Sequence, residues 1–265
     1  MAFTDAIGAA TIDGLSYIGG LARLTGGAAH AVFIAPFKGK RFHMSRAIHQ
    51  AMAVGVEALP ITSLISFFIG AILAVNAAYE LRKFGALHLV ASAVAVSMTR
   101  ELGPLMTAVV VIGRSGSSFA AEIGTMKVNE EIDAMETMAL EPISFLVAPK
   151  FLAMLLMVPC LTAWADFMGV LGGGAFGIAA ASFTWGTYIQ ATMEALVQRD
   201  ILTGLLKAMM FGLVITAVGC QEGFLTGLGS EQVGRSTTSA VVKSIFAVVM
   251  VDLVFTTIFY LTAPR

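Results

Sequence analysis

The chain has 265 residues, of which 57% are hydrophobic and 12% are charged, and its formal net charge is −1. Soluble domains carry about 25% charged residues, whereas the mean hydropathy here is +0.86. The composition therefore predicts an integral membrane protein without a sizeable soluble domain. It argues against nucleic-acid binding, because the sequence offers no basic surface interleaved with aromatic residues.

The segment before residue 40 mixes apolar residues with glycine and a few charges. We interpret it as an interfacial helix rather than a sixth membrane span. It has no basic residue before Arg23 and it carries Asp5 and Asp13, unlike the basic start of a signal peptide. We therefore expect this segment to remain on the mature protein.

Five apolar segments are long enough to cross a bilayer, which takes about 20 residues per helix. We expect all five to be helices, since lipid offers no water to satisfy exposed backbone groups. The third segment holds Pro149 and Pro159, so it is open whether it begins at the interface, kinks or tilts strongly. The predicted spans are 51–79, 86–113, 143–181, 201–220 and 239–263.

The distribution of lysine and arginine between the connections predicts the orientation of the chain. Eight of these residues lie on the N-terminal side of the membrane and four on the other side. We therefore expect a cytoplasmic N-terminus and a C-terminus outside. The eight are Arg23, Lys38, Lys40, Arg41, Arg46, Arg114, Lys127 and Arg235, and the four are Arg82, Lys83, Arg199 and Arg265.

Small residues inside the predicted spans suggest close packing. Gly169, Gly173 and Gly177 recur every four residues, so they share one helix face where a neighbouring backbone can approach. Packing within one protomer and a homodimer seam are both open at this point. Cys160 and Cys220 lie in apolar segments, where we expect them to pack as small hydrophobic residues.

The stretch TRELGPLMTAVVV, residues 99 to 111, places Arg100 and Glu101 near the middle of the second apolar segment. Each unpaired charge at a bilayer centre costs about 2.5 to 3.5 kcal/mol on insertion scales, so both side chains need partners or a wet cavity. Adjacent helical residues point about 100° apart, and the two are therefore expected to reach different neighbours. Either they line a cavity, or Arg100 locks the fold by binding Asp252 or a carbonyl.

Further charges inside the predicted spans include Asp252, Lys207, Glu57 and Asp166. Asp252 is deep in the fifth span, where a structural and a functional role are both open. Lys207 is near enough to the end of the fourth span to snorkel to the outer interface. We expect Glu57 to touch the headgroups and Asp166 to have a structural role. An ion-coupled secondary transporter would also use such charges, although those proteins usually show repeated halves and more spans.

The sequence contains no complete motif for catalysis. The string GRSG at residues 113–116 matches the nucleophile motif of rhomboid proteases, but all four histidines precede Ser115 and no general base follows it. We expect GRSGSS to be the small polar end of a helix. The sequence has no GxxxxGK[ST] for nucleotide phosphates and no His or Cys pair at metal-ligand spacing. We therefore expect no enzyme activity and no cofactor in this chain.

The connection TMKVNEEIDAMETMALEP predicts a short helix between the second and third spans. Asn129 is the expected N-cap, and acidic residues in the first turn suit the helix dipole. An apolar stripe of Ile132, Met135 and Met138 or Ala139 backs the acidic face. Helices that bind membrane surfaces usually present Lys and Arg, so a protein partner is the better interpretation. The helix comprises Glu130, Glu131, Ile132, Asp133, Met135, Glu136 and Met138.

The block from residue 99 to 153 closely resembles the MlaE/YrbE family of ABC-transporter permeases. The resemblance lies in RELGP, GRSGS, AEIGTM, the short helix and the LEP-x-x-x-L-x-x-P-K that opens the third span. Further matches are LLKAMMFG around Lys207, GRSTTSAVV from Gly234 and Asp252 in VVMVDLVFT. The likeness begins near residue 46, which suggests an N-terminal segment 1–45 and a permease domain 46–265.

The resemblance implies an all-α permease that moves phospholipid between the bacterial inner membrane and periplasmic carriers, maintaining outer-membrane lipid asymmetry. It implies a homodimer with a cytoplasmic ABC ATPase, a STAS-domain subunit and an MCE-domain lipid-binding protein. In that family the short helix docks the ATPase. The charges Arg100, Glu101, Lys207 and Asp252 would then line the lipid path, where a guanidinium and a carboxylate suit a zwitterionic headgroup.

Overall fold

The computed structural model describes residues 2–34, 44–181 and 184–262, and every regular element within these ranges is helical. Five of the helices are long and apolar enough to span a membrane, which confirms the all-α membrane fold. The helices are α1 (Ala2–Ala29), α2 (Met44–Lys83), α3 (Leu87–Val128), α4 (Glu131–Thr137), α5 (Ile143–Ala179), α6 (Trp185–Ala195), α7 (Gln198–Phe224) and α8 (Ser230–Leu261).

The two short helices lie at opposite ends of the bundle. α4 joins α3 to α5 at one end, which we call the α4 end, and α6 joins α5 to α7 at the opposite α6 end. Four of the five spans are longer than predicted, and α3 with its 42 residues measures about 63 Å at 1.5 Å per residue. A hydrocarbon core is about 30 Å thick, so α3 projects well beyond it.

The prediction that GRSGSS ends a helix was wrong. α3 passes through this stretch as a π-helical turn, Ile112–Gly116, and continues to Val128. The small residues serve packing, because a Cβ on Gly219 of α7 would lie 2.8 Å from the Gly116 carbonyl oxygen. Ser115 is correspondingly buried, at 6% exposure. Small polar residues therefore bring α3 and α7 together here.

The glycine face of α5 packs within the protomer, against α2 and α3. A Cβ on Gly70 of α2 would lie 1.8 Å from the Gly169 carbonyl oxygen, and one on Gly172 would lie 1.9 Å from that of Phe67. A Cβ on Gly173 would lie 2.6 Å from Val94 Cγ1 of α3. Packing within the chain is therefore the correct alternative for this face. α5 also continues as a helix through Pro159.

α6 was not predicted from the sequence. It begins with a capping box in which Thr184 and Thr187 satisfy each other's backbone groups. Tyr188 is buried and donates a hydrogen bond to the Val170 carbonyl of α5 at 3.1 Å. Burial raises the pKa of Tyr188 to about 12, so its hydroxyl remains a neutral donor. This contact fixes α6 across the end of α5.

α8 is the span least covered by the rest of the protomer. Only 11% of its most apolar window is buried, against 50% for α3, α5 and α7. Large apolar side chains such as Phe246, Val249 and Leu253 are exposed along it. The hydrophobic core therefore lies among α2, α3, α5 and α7, and α8 borders it on one side.

Gly70→Ala is expected to lower the thermal stability of the detergent-solubilised protein. The added methyl group would meet a backbone carbonyl that cannot move away without separating α2 from α5, and overpacking of this kind costs about 1 to 3 kcal/mol. Gly113→Ala is the matched control, since nothing lies within 4 Å of its Cβ position. A melting temperature for Gly70→Ala equal to that of Gly113→Ala would contradict the packing described here.

Candidate functional site

The stretch that carries Arg100 and Glu101 is a π-helical turn, Met98–Leu102, inside α3. The Gly103 amide closes it by donating to the Met98 carbonyl, five residues back. Pro104 has no amide proton to offer the Arg100 carbonyl, which favours a departure from α-helical bonding at this point. Single π turns within α-helices are frequent at functional sites.

Lys207 of α7 is the centre of a buried charge cluster beside this turn. Its side chain is 1% exposed, and its ammonium donates to Glu101 Oε2 at 2.5 Å and to Thr256 Oγ1 at 2.7 Å. Asp252 Oδ1 lies 2.9 Å from the same ammonium, an ion pair without hydrogen-bond geometry. Thr256 in turn donates to Glu101 at 3.2 Å. One lysine thus joins α3, α7 and α8.

The structure corrects two sequence interpretations of these charges. Lys207 does not snorkel to an interface, because two carboxylates hold its ammonium inside the bundle. Arg100 does not bind Asp252, and its Nε lies 3.7 Å from Asp200 Oδ1 in the first turn of α7. Arg100 and Glu101 do reach different neighbours, as their adjacent positions predicted. The Arg100 side chain remains 47% exposed, whereas that of Asp200 is 15% exposed.

Two adjoining cavities open beside Arg100 toward the α6 end. A 200 Å³ cavity is charged, and a 400 Å³ cavity next to it is mainly apolar. They share Arg199, Thr203 and Phe259, so together they form one amphipathic recess. The first is lined by Arg100, Val197, Arg199, Asp200, Thr203 and Phe259, and the second by Gln198, Arg199, Leu202, Thr203, Leu206 and Phe259.

The charges around this recess balance one another. Arg100, Arg199 and Lys207 face three carboxylates, those of Glu101, Asp200 and Asp252, so three positive charges meet three negative ones. Sequence reasoning identified four of the six and missed Arg199 and Asp200. Both missed residues lie in the first turn of α7. The predicted span began only at residue 201, so the hydropathy pattern assigned them to the connection between two spans.

The other two intramembrane acids also have structural surroundings. Glu57 forms an ion pair with Arg114 of α3. The sequence predicted only a contact with headgroups, and the ion pair within the protein was not predicted. Asp166 of α5 presses against the π turn, since a Cβ on Gly103 would lie 1.8 Å from its Oδ1. That oxygen is buried and accepts no hydrogen bond from any residue in the described ranges.

The short helix α4 forms where predicted, with two corrections. Asn129 is the C-cap of α3 and not the N-cap of α4, because Glu130 takes that place in a left-handed conformation with φ of 58°. Ile132 and Met135 are buried, at 7% and 6% exposure, whereas Met138 follows the helix and is 63% exposed. The apolar stripe is therefore two residues long.

The sequence profile of the family described as Permease MlaE matches residues 47–258. The chain belongs to the MlaE permease family. A "Probable ABC transporter permease protein" of Rickettsia prowazekii is 38% identical over 218 residues, which cover 82% of this chain and 84% of the relative. Another probable ABC transporter permease protein, from Synechocystis, is 36% identical over 208 residues, covering 78% of this chain and 79% of that one.

A plant protein is also similar to this MlaE-family chain. Protein TRIGALACTOSYLDIACYLGLYCEROL 1, chloroplastic, of Arabidopsis thaliana is 32% identical over 223 residues, covering 84% of this chain and 63% of the plant protein. The family match spans both structural features described above, the charge cluster around Lys207 and the helix α4. The comparisons assign no role to individual residues, and the geometry alone groups them.

Lys207→Met is expected to destabilise this MlaE-family permease by about 3 to 5 kcal/mol, because it leaves two carboxylates without their counter-charge. Adding Glu101→Gln and Asp252→Asn to Lys207→Met should restore much of the loss. The measurement is the free energy of unfolding in mixed detergent micelles. Lys83→Met is the control, since its exposed pair with Glu80 is worth less than about 1 kcal/mol. Equal losses in Lys207→Met and Lys83→Met would refute the buried cluster.

Proposed function

We propose that this chain is the permease subunit of an ABC transporter that moves phospholipid. The observation that carries the proposal is the charge-balanced cluster around Arg100 and Lys207, which adjoins an apolar cavity at the α6 end. A zwitterionic phospholipid has the same two-part chemistry. Its phosphate and amine need a cation and a carboxylate, and its acyl chains need apolar walls.

Each part of the recess has a natural partner in such a lipid. The Arg100 side chain is 47% exposed, and the planar donors of its guanidinium suit phosphate oxygens. Glu101 is 37% exposed and offers a carboxylate to an amine. Leu202 and Leu206 of α7 are both exposed, at 57% and 47%, and provide the apolar wall along which a chain can lie.

The homodimer is part of the proposal and rests on α8. This helix has the least buried apolar window of the five spans, yet it carries Asp252 and Thr256 of the buried cluster. A second copy packed against α8 would cover its apolar face and close the recess into a cavity shared by two protomers. Closed two-fold symmetry is the commonest symmetry among soluble homo-oligomers, and the same arrangement would cover α8 here.

ATP hydrolysis belongs to a partner subunit in this proposal. Two relatives are described as probable ABC transporter permeases, and this sequence has no phosphate-binding loop. We assign the docking of a cytoplasmic ABC ATPase to α4, whose Glu131 and Asp133 are exposed while Ile132 and Met135 anchor it. The chain itself is then not an enzyme. A STAS-domain subunit and an MCE-domain lipid-binding protein complete the proposed assembly.

The proposed location is the inner membrane of a bacterial envelope with two membranes. The lysine and arginine distribution favours a cytoplasmic N-terminus, which places the α4 end in the cytoplasm and the α6 end with the recess toward the periplasm. Phospholipid would pass between the inner membrane and periplasmic carriers and so maintain outer-membrane asymmetry. The Arabidopsis relative is named after trigalactosyldiacylglycerol, which is a glycerolipid. This name supports lipid as the substrate class.

Arg100→Ala and Glu101→Ala are expected to lower lipid capture without loss of assembly. A photoreactive residue replacing Val197, which lines the recess and is 59% exposed, should label phospholipid in the wild-type background. Each variant removes a charge-assisted contact, so labelling should fall roughly tenfold. Lipid transfer from reconstituted vesicles with ATP and partners should fall with it.

Arg235→Ala and Glu80→Ala are the matched controls, because both residues form exposed ion pairs away from the recess. Loss of ATPase binding in both recess variants would show that the charges only hold the fold. Normal labelling and transfer in both would refute the lipid path. Transfer that follows an ion gradient and needs no ATPase would favour the ion-coupled secondary transporter instead.

Reversing the charge of α4, by Glu131→Lys with Asp133→Lys, is expected to abolish co-purification of the ATPase. Both side chains are exposed, so insertion and dimer formation should be unchanged. Glu194→Lys on α6 is the control at the opposite end of the bundle. The readouts are ATPase recovered per permease and the ATPase rate of the complex. If the α4 variant retains its ATPase like the Glu194→Lys control, α4 is not the docking helix.

A further inference from the structure

A second cavity lies at the α4 end, far from the charge cluster around Lys207. Its volume is 460 Å³, within the range of about 300 to 1,000 Å³ typical of small-ligand pockets. Three separate parts of the fold enclose it, namely α1, the α4 helix with the connection that follows it, and the end of α7. Its lining residues are Gly20, Arg23, Leu24, Ile132, Glu136, Glu141, Pro142, Ile143, Gln221 and Phe224.

The side chain of Gln221 points to a ligand in this cavity. Gln221 is 8% exposed and belongs to the cavity lining. Gly20 of α1 makes room for it, because a Cβ there would lie 2.2 Å from Gln221 Nε2. The amide lines the cavity wall, where it can donate to and accept from a bound polar group.

The charged residues of the cavity are also available. Arg23 is exposed and forms no ion pair within the described chain, and the same holds for Glu136 of α4. Glu141 accepts one hydrogen bond, from Ser144 at 2.8 Å. The cavity therefore presents one guanidinium, one amide and two carboxylates, with Leu24 and Phe224 as apolar walls.

We propose that this α4-end cavity binds the zwitterionic headgroup of a phospholipid from the adjacent leaflet, with phosphate on Arg23 and Gln221 and the amine on Glu136 and Glu141. Guanidinium and amide donors suit phosphate oxygens, whereas carboxylates suit an ammonium that still carries N–H groups. Phosphatidylethanolamine has this pair of groups. Phosphatidylcholine has a quaternary amine that donates no hydrogen bond, and phosphatidylglycerol has no amine.

The position of the cavity favours a lipid as occupant. On α1, about one to three turns before Arg23, the apolar residues Ile12, Leu15 and Ile18 are exposed at 68%, 65% and 61%. An interfacial helix buries such a stripe about 5 to 10 Å into the boundary between headgroups and acyl chains. The cavity beside α1 then lies at the depth of the headgroups. Because Glu136 belongs to α4, an occupied cavity ties α1 to α4 through the lipid.

The test is photolabelling of the full-length chain purified with its co-expressed partners in nanodiscs. A photoreactive phenylalanine analogue replaces Phe224, which lines the cavity, and the discs contain labelled phosphatidylethanolamine or phosphatidylcholine in a phosphatidylglycerol background. We expect phosphatidylethanolamine to be captured in preference. Arg23→Gln should lower the capture roughly tenfold, as loss of a charge-assisted hydrogen bond does, and Arg23→Lys should lower it less.

Arg235→Gln is the matched control, since it removes an exposed arginine elsewhere and leaves the cavity intact. Glu141→Gln, in an exposed connection, is the second variant and should reduce the preference for phosphatidylethanolamine over phosphatidylcholine. Equal capture of the two lipids, or equal loss in Arg23→Gln and Arg235→Gln, overturns the proposal. Labelling of the ATPase in place of lipid would make the cavity a protein contact.

Soluble glycerophosphoethanolamine separates the possible sources of the headgroup. Displacement of the labelled lipid only at a large excess of the soluble compound supports a lipid site, because the acyl chains then hold the headgroup in place. Displacement at equal concentration would identify a soluble phosphoamine ligand and overturn the lipid assignment. Neither readout requires transport, so failure here is distinguishable from failure of the proposed permease function.

Discussion

The fold at the centre of the bundle depends on the Lys207 ammonium, which is held between Glu101 and Asp252. Removing a charge from water costs several kcal/mol even in real proteins, so a lysine that is 1% exposed is tolerable only with close counter-charges. Two carboxylates on one lysine leave an excess negative charge. Arg100 belongs to the same turn as Glu101 and is oriented the other way, toward Asp200. The π turn lets consecutive residues serve these two separate pairs.

Close approach of backbones accompanies the polar cluster. A Cβ on Gly204 of α7 would lie 2.0 Å from the Thr99 carbonyl oxygen, one residue before Arg100, and one on Gly103 would lie 1.8 Å from Asp166 Oδ1. Glycines therefore bring α5 and α7 against the π turn of α3 from two sides. Because ion pairs in low-dielectric surroundings strengthen as water is excluded, this tight packing and the buried charges support each other. The exposed face of Arg100 then marks where the packing ends and the recess begins.

Hydropathy predicts the five spans because the lipid core requires apolar side chains along nearly the whole of each span. This requirement can be seen in each segment of the sequence without knowing its contacts. α4 is predictable for a similar reason, since charges, caps and Pro142 lie close together in the sequence. The rest needs contacts between distant residues. α6 was missed because Tyr188 meets Val170 only in the fold, and GRSGSS was misread because Gly116 meets Gly219 of another helix. Likewise, the sequence offers Arg100 two acidic partners, Asp200 and Asp252. Only the fold, which places the first turn of α7 beside Arg100, shows that Asp200 is the partner.

The α4 end is braced in a way that connects the helix α4 to the spans. Lys150 of α5 is 1% exposed and binds the 43% exposed Glu122 of α3 at 2.5 Å, so a partly buried ion pair joins the two helices on either side of α4. Glu222 of α7 binds Lys243 of α8 at 2.8 Å, which joins the other two helices of the charge cluster at the same end. The ion pair between Lys150 and Glu122 favours movement of α3 and α5 as one unit around α4. Glu101 also lies on α3, so the helix that ends beside α4 contributes a carboxylate to the charge cluster around Lys207.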